Sequence, residues 1–265
     1  MLKLFNCMTD LKNQNLKASI SSKHNLFSTL EAGSPHSFSL LSDEGFSSNN
    51  RIYNDRFVLS KGQDSPLLNA LFSFSGTFTL EETKIQRNFR SHDNGDNDLK
   101  FDIVDGACES SDGHALSIGA GLALDSKNGD YGNKIYVLLS GDELEKGLVW
   151  EAANFASYHK LGNLIAIMDI NHISGRTASM YGFHSEDYEK RFRAFGFEAF
   201  TIDEDLNDID TAFYIAHQSR TKPIAIIVND LRGNGISRIK NKDSVHGKSS
   251  GADQLWKALV ELDLM

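Results

Sequence analysis

The chain has 265 residues, of which 40% are apolar and 24% charged, and its net charge at pH 7 is −9. This composition is that of a folded globular protein with room for one large α/β domain, and the negative charge argues against a nucleic-acid partner. No apolar run approaches the ~20 residues that cross a bilayer. Cys7 and Cys108 have neither metal-ligand spacing nor a disulfide framework. We therefore expect a protein of the reducing cytoplasm with no membrane segment.

The first third of the chain gives few signals. Residues 1–25 are polar and mixed, which predicts an N-terminal arm before a single domain over 26–265. Residues 47–55 and 91–98 are rich in turn formers and are predicted to be loops. The Phe-rich stretch 71–78 is predicted to be buried or to lie at a subunit interface.

From residue 103 onward, apolar strands alternate with helices. The predicted strands are 134–139, 163–169, 198–202 and 223–228, and the predicted helices are 113–125, 148–161, 186–195 and 206–219. Strands that are apolar throughout and separated by helices predict an α/β fold, with a parallel sheet covered by helices on both faces. Within these helices, Gly119 and Gly121 are predicted to allow close packing on the sheet, and Trp150 is predicted to be core.

Two predicted strands end in polar residues. Strand 134–139 runs into Ser140-Gly141-Asp142-Glu143-Leu144, and strand 163–169 runs into Ile170-Asn171-His172-Ile173. Ligands of parallel sheets bind outside the carboxyl ends of the strands. An acid and an amide there can hold one hard cation, which in turn can hold a diphosphate. This pattern favours thiamine diphosphate chemistry. The alternative is that Asp142 and Glu143 are charges of a solvated first turn and that Asn171 caps a loop.

Several long segments resemble the N-terminal, diphosphate-binding domain of transketolases. They are the stretch from Leu148 to Asn171 (LVWEAANFASYHKLGNLIAIMDIN), Arg191 to Phe197 (RFRAFGF), Arg232 to Ile236 (RGNGI), Val245 to Lys248 (VHGK) and Asp55 to Gly62 (DRFVLSKG). Ordered matches of this length are more specific than a short motif. The resemblance implies the thiamine-diphosphate-binding fold and an enzyme that uses thiamine diphosphate with Mg²⁺ (or Ca²⁺) to transfer a two-carbon ketol unit between sugars.

The resemblance also implies a role for individual residues. Asp142 and Asn171 would hold the cation together with the carbonyl of Ile173, and Gly141 and Glu143 belong to the same cofactor loop. The residues implied to lie along the diphosphate and thiazolium are Ser37, Gly113 and Arg232. His246 is the implied catalytic residue, in contact with the substrate or with the phosphate side of the cofactor.

Relatives carry two further domains, so the resemblance implies a separate partner subunit with the pyrimidine-binding and C-terminal domains, and a homodimer or a heterotetramer. The family's metal loop reads Gly-Asp-Gly-Glu, whereas this chain has Ser140-Gly141-Asp142-Glu143, so the acid is displaced by one residue. Several histidines of the family are also replaced. A non-catalytic scaffold or regulator is therefore the main alternative, and a different thiamine-diphosphate reaction, such as ketoacid processing, is a third.

Overall fold

The computed structural model describes residues 55–60, 104–107, 113–171, 173–174, 177–178, 184–203 and 206–230. All of them belong to one compact unit formed by 40–62 and 97–230. Residues 1–39, 63–96 and 231–265 are grouped in a second unit, which lies outside the described residues. The predicted arm, the loop 91–98 and the stretch 71–78 therefore lie outside them too, as does the loop 47–55 apart from Asp55. The domain boundary at 25/26 stays a prediction.

Eight strands and four α-helices are described. The strands are β1 (Arg56–Leu59), β2 (Val104–Ala107), β3 (Ile135–Ser140), β4 (Leu164–Asn171), β5 (Ile173–Ser174), β6 (Thr177–Ala178), β7 (Glu198–Ile202) and β8 (Ile224–Asp230). The helices are α1 (Ala115–Gly129), α2 (Gly147–Tyr158), α3 (Ser185–Ala194) and α4 (Leu206–Gln218). A short 3₁₀ helix (Gly141–Glu145) connects β3 to the start of α2.

Six of the strands form one sheet in the order β2-β1-β3-β4-β8-β7, and every neighbouring pair is parallel. β5 and β6 form a separate antiparallel pair. The residues of β3 from Ile135 to Leu139 are all buried, as a central strand with two covered faces requires. The predicted α/β fold with a parallel sheet is confirmed.

Helices cover both faces of the sheet. On one face, Gly119 of α1 lies directly against the side chain of Val137, where a Cβ atom would clash. On the other face, the ring of Phe213 in α4 stacks on Tyr136, with 6.0 Å between ring centroids. Because successive residues of a strand point to opposite faces, Tyr136 and Val137 serve the two layers.

The predicted elements agree with the observed ones to within four residues at their ends. β7 is found at its predicted bounds, and α1 ends at Gly129 rather than at residue 125. β1 and β2 were not predicted, because strands of four residues carry too little periodicity. Gly119 has the predicted packing role, but the prediction for Gly121 is wrong: it is exposed, and a Cβ there would have no neighbour within 4 Å.

Candidate functional site at the carboxyl edge of the sheet

The carboxyl ends of β3, β4 and β8 lie side by side. Ser140 at the end of β3 is in register with Asp169, and Asn171 at the end of β4 is in register with Asp230. Polar residues from three parallel strands thus meet at one edge, where ligands of such sheets bind. The register brings the two motifs predicted from the sequence to the same edge.

Beyond β3 the chain turns into the 3₁₀ helix, which is held by Glu143. The Glu143 side chain is 1% exposed. Its Oε2 accepts hydrogen bonds from the Ser140 amide at 2.8 Å and the Ser140 hydroxyl at 3.2 Å. Its Oε1 accepts a hydrogen bond from the hydroxyl of buried Ser60, which follows β1. Ser140 and Glu143 form a capping box, so one carboxylate joins the ends of two strands to the start of the 3₁₀ helix.

The two acidic residues predicted at this loop have opposite environments. Asp142 is exposed, whereas Glu143 is buried and accepts hydrogen bonds from Ser140 and Ser60. The exposure of Asp142 agrees with the alternative prediction that it is a solvated charge in the first turn of a helix. A ligand that approached Glu143 would have to compete with those bonds for the carboxylate oxygens.

Gly141 lies deeper in the edge than Asp142. It is buried, and a Cβ atom there would lie 3.7 Å from the Asp169 carbonyl oxygen and 3.8 Å from the Ile170 Cα. These are ordinary van der Waals distances, so position 141 has room for a Cβ atom next to the main chain that leads to Asn171. The position that faces β4 is therefore the one without a carboxylate.

Gly113 lies just before α1 and packs against the start of α2. It is buried with φ of +88°, a conformation that favours glycine, and a Cβ there would lie 3.1 Å from Val149 and 3.2 Å from the Cβ of Lys146. The first turns of α1 and α2 contain no acidic residue. Two helix N-termini without a carboxylate thus approach each other at Gly113, which is favourable for an anion.

Trp150 links the 3₁₀ helix that follows β3 to α3. Its indole N–H donates to the Leu144 carbonyl at 2.9 Å, its ring packs on Phe192, and the Arg191 guanidinium lies 3.8 Å above the ring centroid. Trp150 is 9% exposed, so its predicted core position is confirmed. The indole connects the end of the 3₁₀ helix to α3.

The remaining predicted site residues are described in part or not at all. Asn171 and Ile173 are placed by their main chain, at the end of β4 and the start of β5. Ser37, Arg232 and His246 lie outside the described residues. Within the described part of the chain, no group of three or more His, Cys, Asp or Glu side chains could hold a metal ion. Nor is any helix of that part long and apolar enough to cross a membrane.

Comparison with known proteins identifies the family. The family described as "Transketolase, thiamine diphosphate binding domain" matches residues 41–262. This chain belongs to that family. The transketolases of Pongo abelii and Homo sapiens are each 36% identical to it over 198 residues, which is 74% of this chain and 31% of each relative. Transketolase-like protein 2 of Mus musculus is 32% identical over 203 residues. The chain thus spans about a third of the length of these relatives.

Solved transketolases share the fold. The transketolase of Campylobacter jejuni superimposes with a TM-score of 0.82 at 25% identity, covering 99% of this chain and 43% of that one. The transketolase of Pichia stipitis in complex with sedoheptulose 7-phosphate gives a TM-score of 0.82 at 24% identity. The resemblance that the sequence segments indicated is confirmed for family and fold.

Three residues of this edge were missed in the sequence. Ser60 was part of a matching segment, but its bond to Glu143 spans 83 positions of the chain. Asp169 was predicted as the last residue of its strand but not as a site residue, and it lies in register with the last residue of β3 and is 1% exposed. Asp230 was left out because β8 was predicted to end at residue 228. A strand predicted to continue through Asn229 and Asp230 would have placed Asp230 at this edge.

Proposed function

We propose that this chain is the thiamine-diphosphate- and Mg²⁺-binding component of a transketolase-type transferase, which moves a two-carbon ketol unit between sugars. The observation that carries the proposal is the family match over residues 41–262, combined with the polar ends of β3, β4 and β8 at one sheet edge. When bound, thiamine diphosphate supplies the nucleophilic carbon that carries the two-carbon unit. This chain's own residues bind and orient the cofactor.

The cation would be held by oxygen donors alone. In the proposal these are the side chains of Asp142 and Asn171 and the main-chain carbonyl of Ile173, all ligands of the kind that Mg²⁺ or Ca²⁺ prefers. Their main-chain positions support this assignment, because Asp142 follows β3, Asn171 ends β4 and Ile173 begins β5. The exposed side chain of Asp142 is displaced by one residue from position 141, and this displacement is the weakest part of the donor set.

The diphosphate would lie against the start of α1. Gly113 supports this part of the proposal, because its buried main chain and the adjoining helix N-termini suit a phosphate group without any net positive charge. Ser37 and Arg232 are proposed to complete the contacts along the diphosphate and the thiazolium. Arg232 would supply a permanently charged cationic partner for the phosphate oxygens.

His246 is the proposed catalytic residue. It would contact the reacting sugar or the phosphate side of the cofactor, where an imidazole can donate or accept a proton near neutral pH. The pyrimidine-binding and C-terminal domains are proposed to come from a partner subunit, in a homodimer or a heterotetramer of the cytoplasm. Support for the partner is the resemblance, in which the pyrimidine-binding role belongs to another domain.

Calorimetry with thiamine diphosphate and Mg²⁺ tests this function. We expect saturable binding to the wild type in the presence of the partner subunit, and at least a tenfold loss for Asn171→Ala, since even the loss of a residue that only orients a metal ligand typically weakens such sites by about 10–100-fold. The matched control is Asn154→Ala, an exposed asparagine of α2, which should bind like the wild type. Absence of binding to the wild type at saturating cofactor, with the partner bound, would refute the proposal.

A second candidate is a non-catalytic scaffold or regulator. It is favoured by the loop after β3, where Gly141 has no carboxylate and Glu143 is committed to Ser60 and Ser140. This candidate predicts that the chain still binds the partner subunit while thiamine diphosphate with Mg²⁺ leaves its melting temperature unchanged. The same calorimetry, performed alongside a partner-binding measurement, separates the two.

A further inference from the structure

The loop after β3 is fastened on both sides of its two central residues. On one side, Ser140 is paired with Asp169 in the sheet. On the other side, Glu143 reaches back to the Ser140 amide at 2.8 Å and also accepts a hydrogen bond from Ser60. Gly141 and Asp142 lie between these attachments, so their positions follow from where Glu143 is held.

We infer that Glu143 is a positioning residue that fixes the register of this loop, with Gly141 facing β4 and Asp142 facing solvent. The inference rests on three contacts of one carboxylate and on the opposite exposures of neighbouring positions: Gly141 and Glu143 are buried, and Asp142 is exposed. It goes beyond the proposed function, because it assigns to Glu143 a role that requires no contact with cofactor or substrate.

A one-residue slip of the loop would undo this arrangement. Asp142 could take the place of Gly141 only if Glu143 moved with it, which would pull a buried carboxylate away from Ser60 and from the Ser140 amide. The buried Ser60 hydroxyl and the partly buried Ser140 amide would then lack their acceptor, which is unfavourable. The loop therefore does not bring a carboxylate to position 141 by shifting, and Asp142 would reach a cation only from its exposed position.

The consequence concerns cation binding and rests on the proposed function. If the donor set at this edge is limited by position 141, then a carboxylate placed there should raise the affinity for a hard cation. A Cβ atom at position 141 would lie 3.7 Å from the Asp169 carbonyl oxygen, an ordinary contact, so the first atom of an aspartate side chain fits there. Its carboxylate would start next to the main chain of β4, where Asn171 follows.

Amide hydrogen exchange, measured without any ligand, tests whether Glu143 fixes the register of the loop. We expect the Ser140 amide to exchange about tenfold faster or more in Glu143→Ala, because a hydrogen bond to a charged acceptor is lost. Glu143→Gln keeps a carbonyl acceptor and should stay close to the wild type. The Ile135 amide, which bonds Asn163 at the other end of β3, is the internal control for global unfolding.

A local increase at Ser140 that exceeds any change at Ile135 supports the inference. If Glu143→Ala unfolds the protein, Ser60→Ala removes one of the bonds singly and is expected to give a smaller local increase. Equal protection of Ser140 in the wild type, Glu143→Ala and Ser60→Ala would overturn the assignment.

Terbium luminescence tests the consequence for the cation. Tb³⁺ is a hard, oxygen-seeking probe, and the indole of Trp150, which donates a hydrogen bond to the Leu144 carbonyl in the same loop, serves as the sensitiser. We expect Gly141→Asp to bind Tb³⁺ at least about tenfold tighter than the wild type, because one more carboxylate joins the donor set. Gly141→Asp with Glu143→Gln should keep this gain, and Gly141→Asp with Glu143→Ala should lose it.

Equal affinity of the wild type and Gly141→Asp for Tb³⁺ would overturn the inference about position 141. Because neither measurement uses thiamine diphosphate, a wild type that fails to bind the cofactor would refute the proposed function and leave these outcomes unaffected. Conversely, cofactor binding by the wild type together with an unchanged Ser140 amide in Glu143→Ala would leave the proposed function intact and remove the positioning role.

Discussion

The two ends of β3 each meet a charged side chain, but the surroundings differ. At the amino edge, Lys134 lies just before the strand, and its Nζ donates to the carbonyls of Gly162 at 3.2 Å and Ser219 at 3.4 Å. At the carboxyl edge, Glu143 collects donors from Ser60 and Ser140. Each charged residue joins neighbouring connections of the sheet, so a charge at a strand end is not in itself a sign of function.

The difference lies in the space that is left. At the amino edge, a Cβ atom on Gly162 would clash with the main chain of Arg220 and Thr221. At the carboxyl edge, a Cβ atom on Gly141 would meet its nearest neighbours at 3.7 Å. The amino edge is closed by backbone, whereas the carboxyl edge has room for added atoms. At these two glycines, the amino edge leaves no space for a Cβ atom, whereas the carboxyl edge, where ligands of parallel sheets bind, accommodates one.

The largest expected effect comes from the buried carboxylate. Glu143→Ala should lower the free energy of unfolding by about 2–4 kcal/mol, because hydrogen bonds to a charged group are lost and buried donors are left without an acceptor. Asp142→Ala, at the exposed neighbouring position, should change it by less than about 1 kcal/mol. Urea unfolding measures both. A similar decrease in the free energy of unfolding for the two variants would contradict the different roles of Glu143 and Asp142.

A smaller effect on stability is expected when a methyl group is added to a glycine at each edge of the sheet. Gly162→Ala should destabilise the protein by about 1–3 kcal/mol, since the main chain of Arg220 and Thr221 has to move. Gly141→Ala should stay within about 0.5 kcal/mol of the wild type. Thermal and urea unfolding of this pair compare the edges directly. A Gly141→Ala variant as unstable as Gly162→Ala would contradict the open carboxyl edge.

The smallest effect concerns pH and the amino edge. Burial, and secondarily the nearby Arg220, lower the pKa of Lys134 below its usual value of 10.5, while Asp55 partly opposes this. The unfolded chain therefore binds more protons than the folded one in the alkaline range. Stability attributable to Lys134 should rise as pH increases through the lowered pKa toward 10.5.

This pH dependence is checked by urea unfolding at several alkaline pH values. Lys134→Met should lack the rising component, and Lys190→Met, which removes a lysine whose side chain is 70% exposed, should keep it. The same slope in all three proteins would show that Lys134 does not set the alkaline behaviour of this edge.

The sequence predicted the sheet because its central strands are continuous apolar runs. β3, β4, β7 and β8 were found near their predicted bounds, and so were the helices between them. The same reasoning missed β1 and β2, whose four residues gain strand structure only by pairing, β1 with β3 and β2 with β1. It also treated Gly119 and Gly121 alike, although only the former contacts the sheet.

The candidate site was predicted less completely than the fold. That Asp142, Glu143 and Asn171 would lie at one edge followed from the strand ends and the parallel order. Which acid is buried did not follow, because Asp142 and Glu143 are chemically similar neighbours. The choice depends on Ser60, which is distant in sequence and adjacent in the fold.

The sequence by itself determined the family, the parallel sheet and the edge at which polar residues gather, since these depend on the order and apolarity of local segments. Only the tertiary structure decided that Glu143 is an anchor, that Asp142 faces solvent and that Gly141 faces β4. The physical reason is that burial and hydrogen bonding are set by partners from other strands. Folding brings those partners together from distant parts of the sequence, so the local pattern of residues does not predict them.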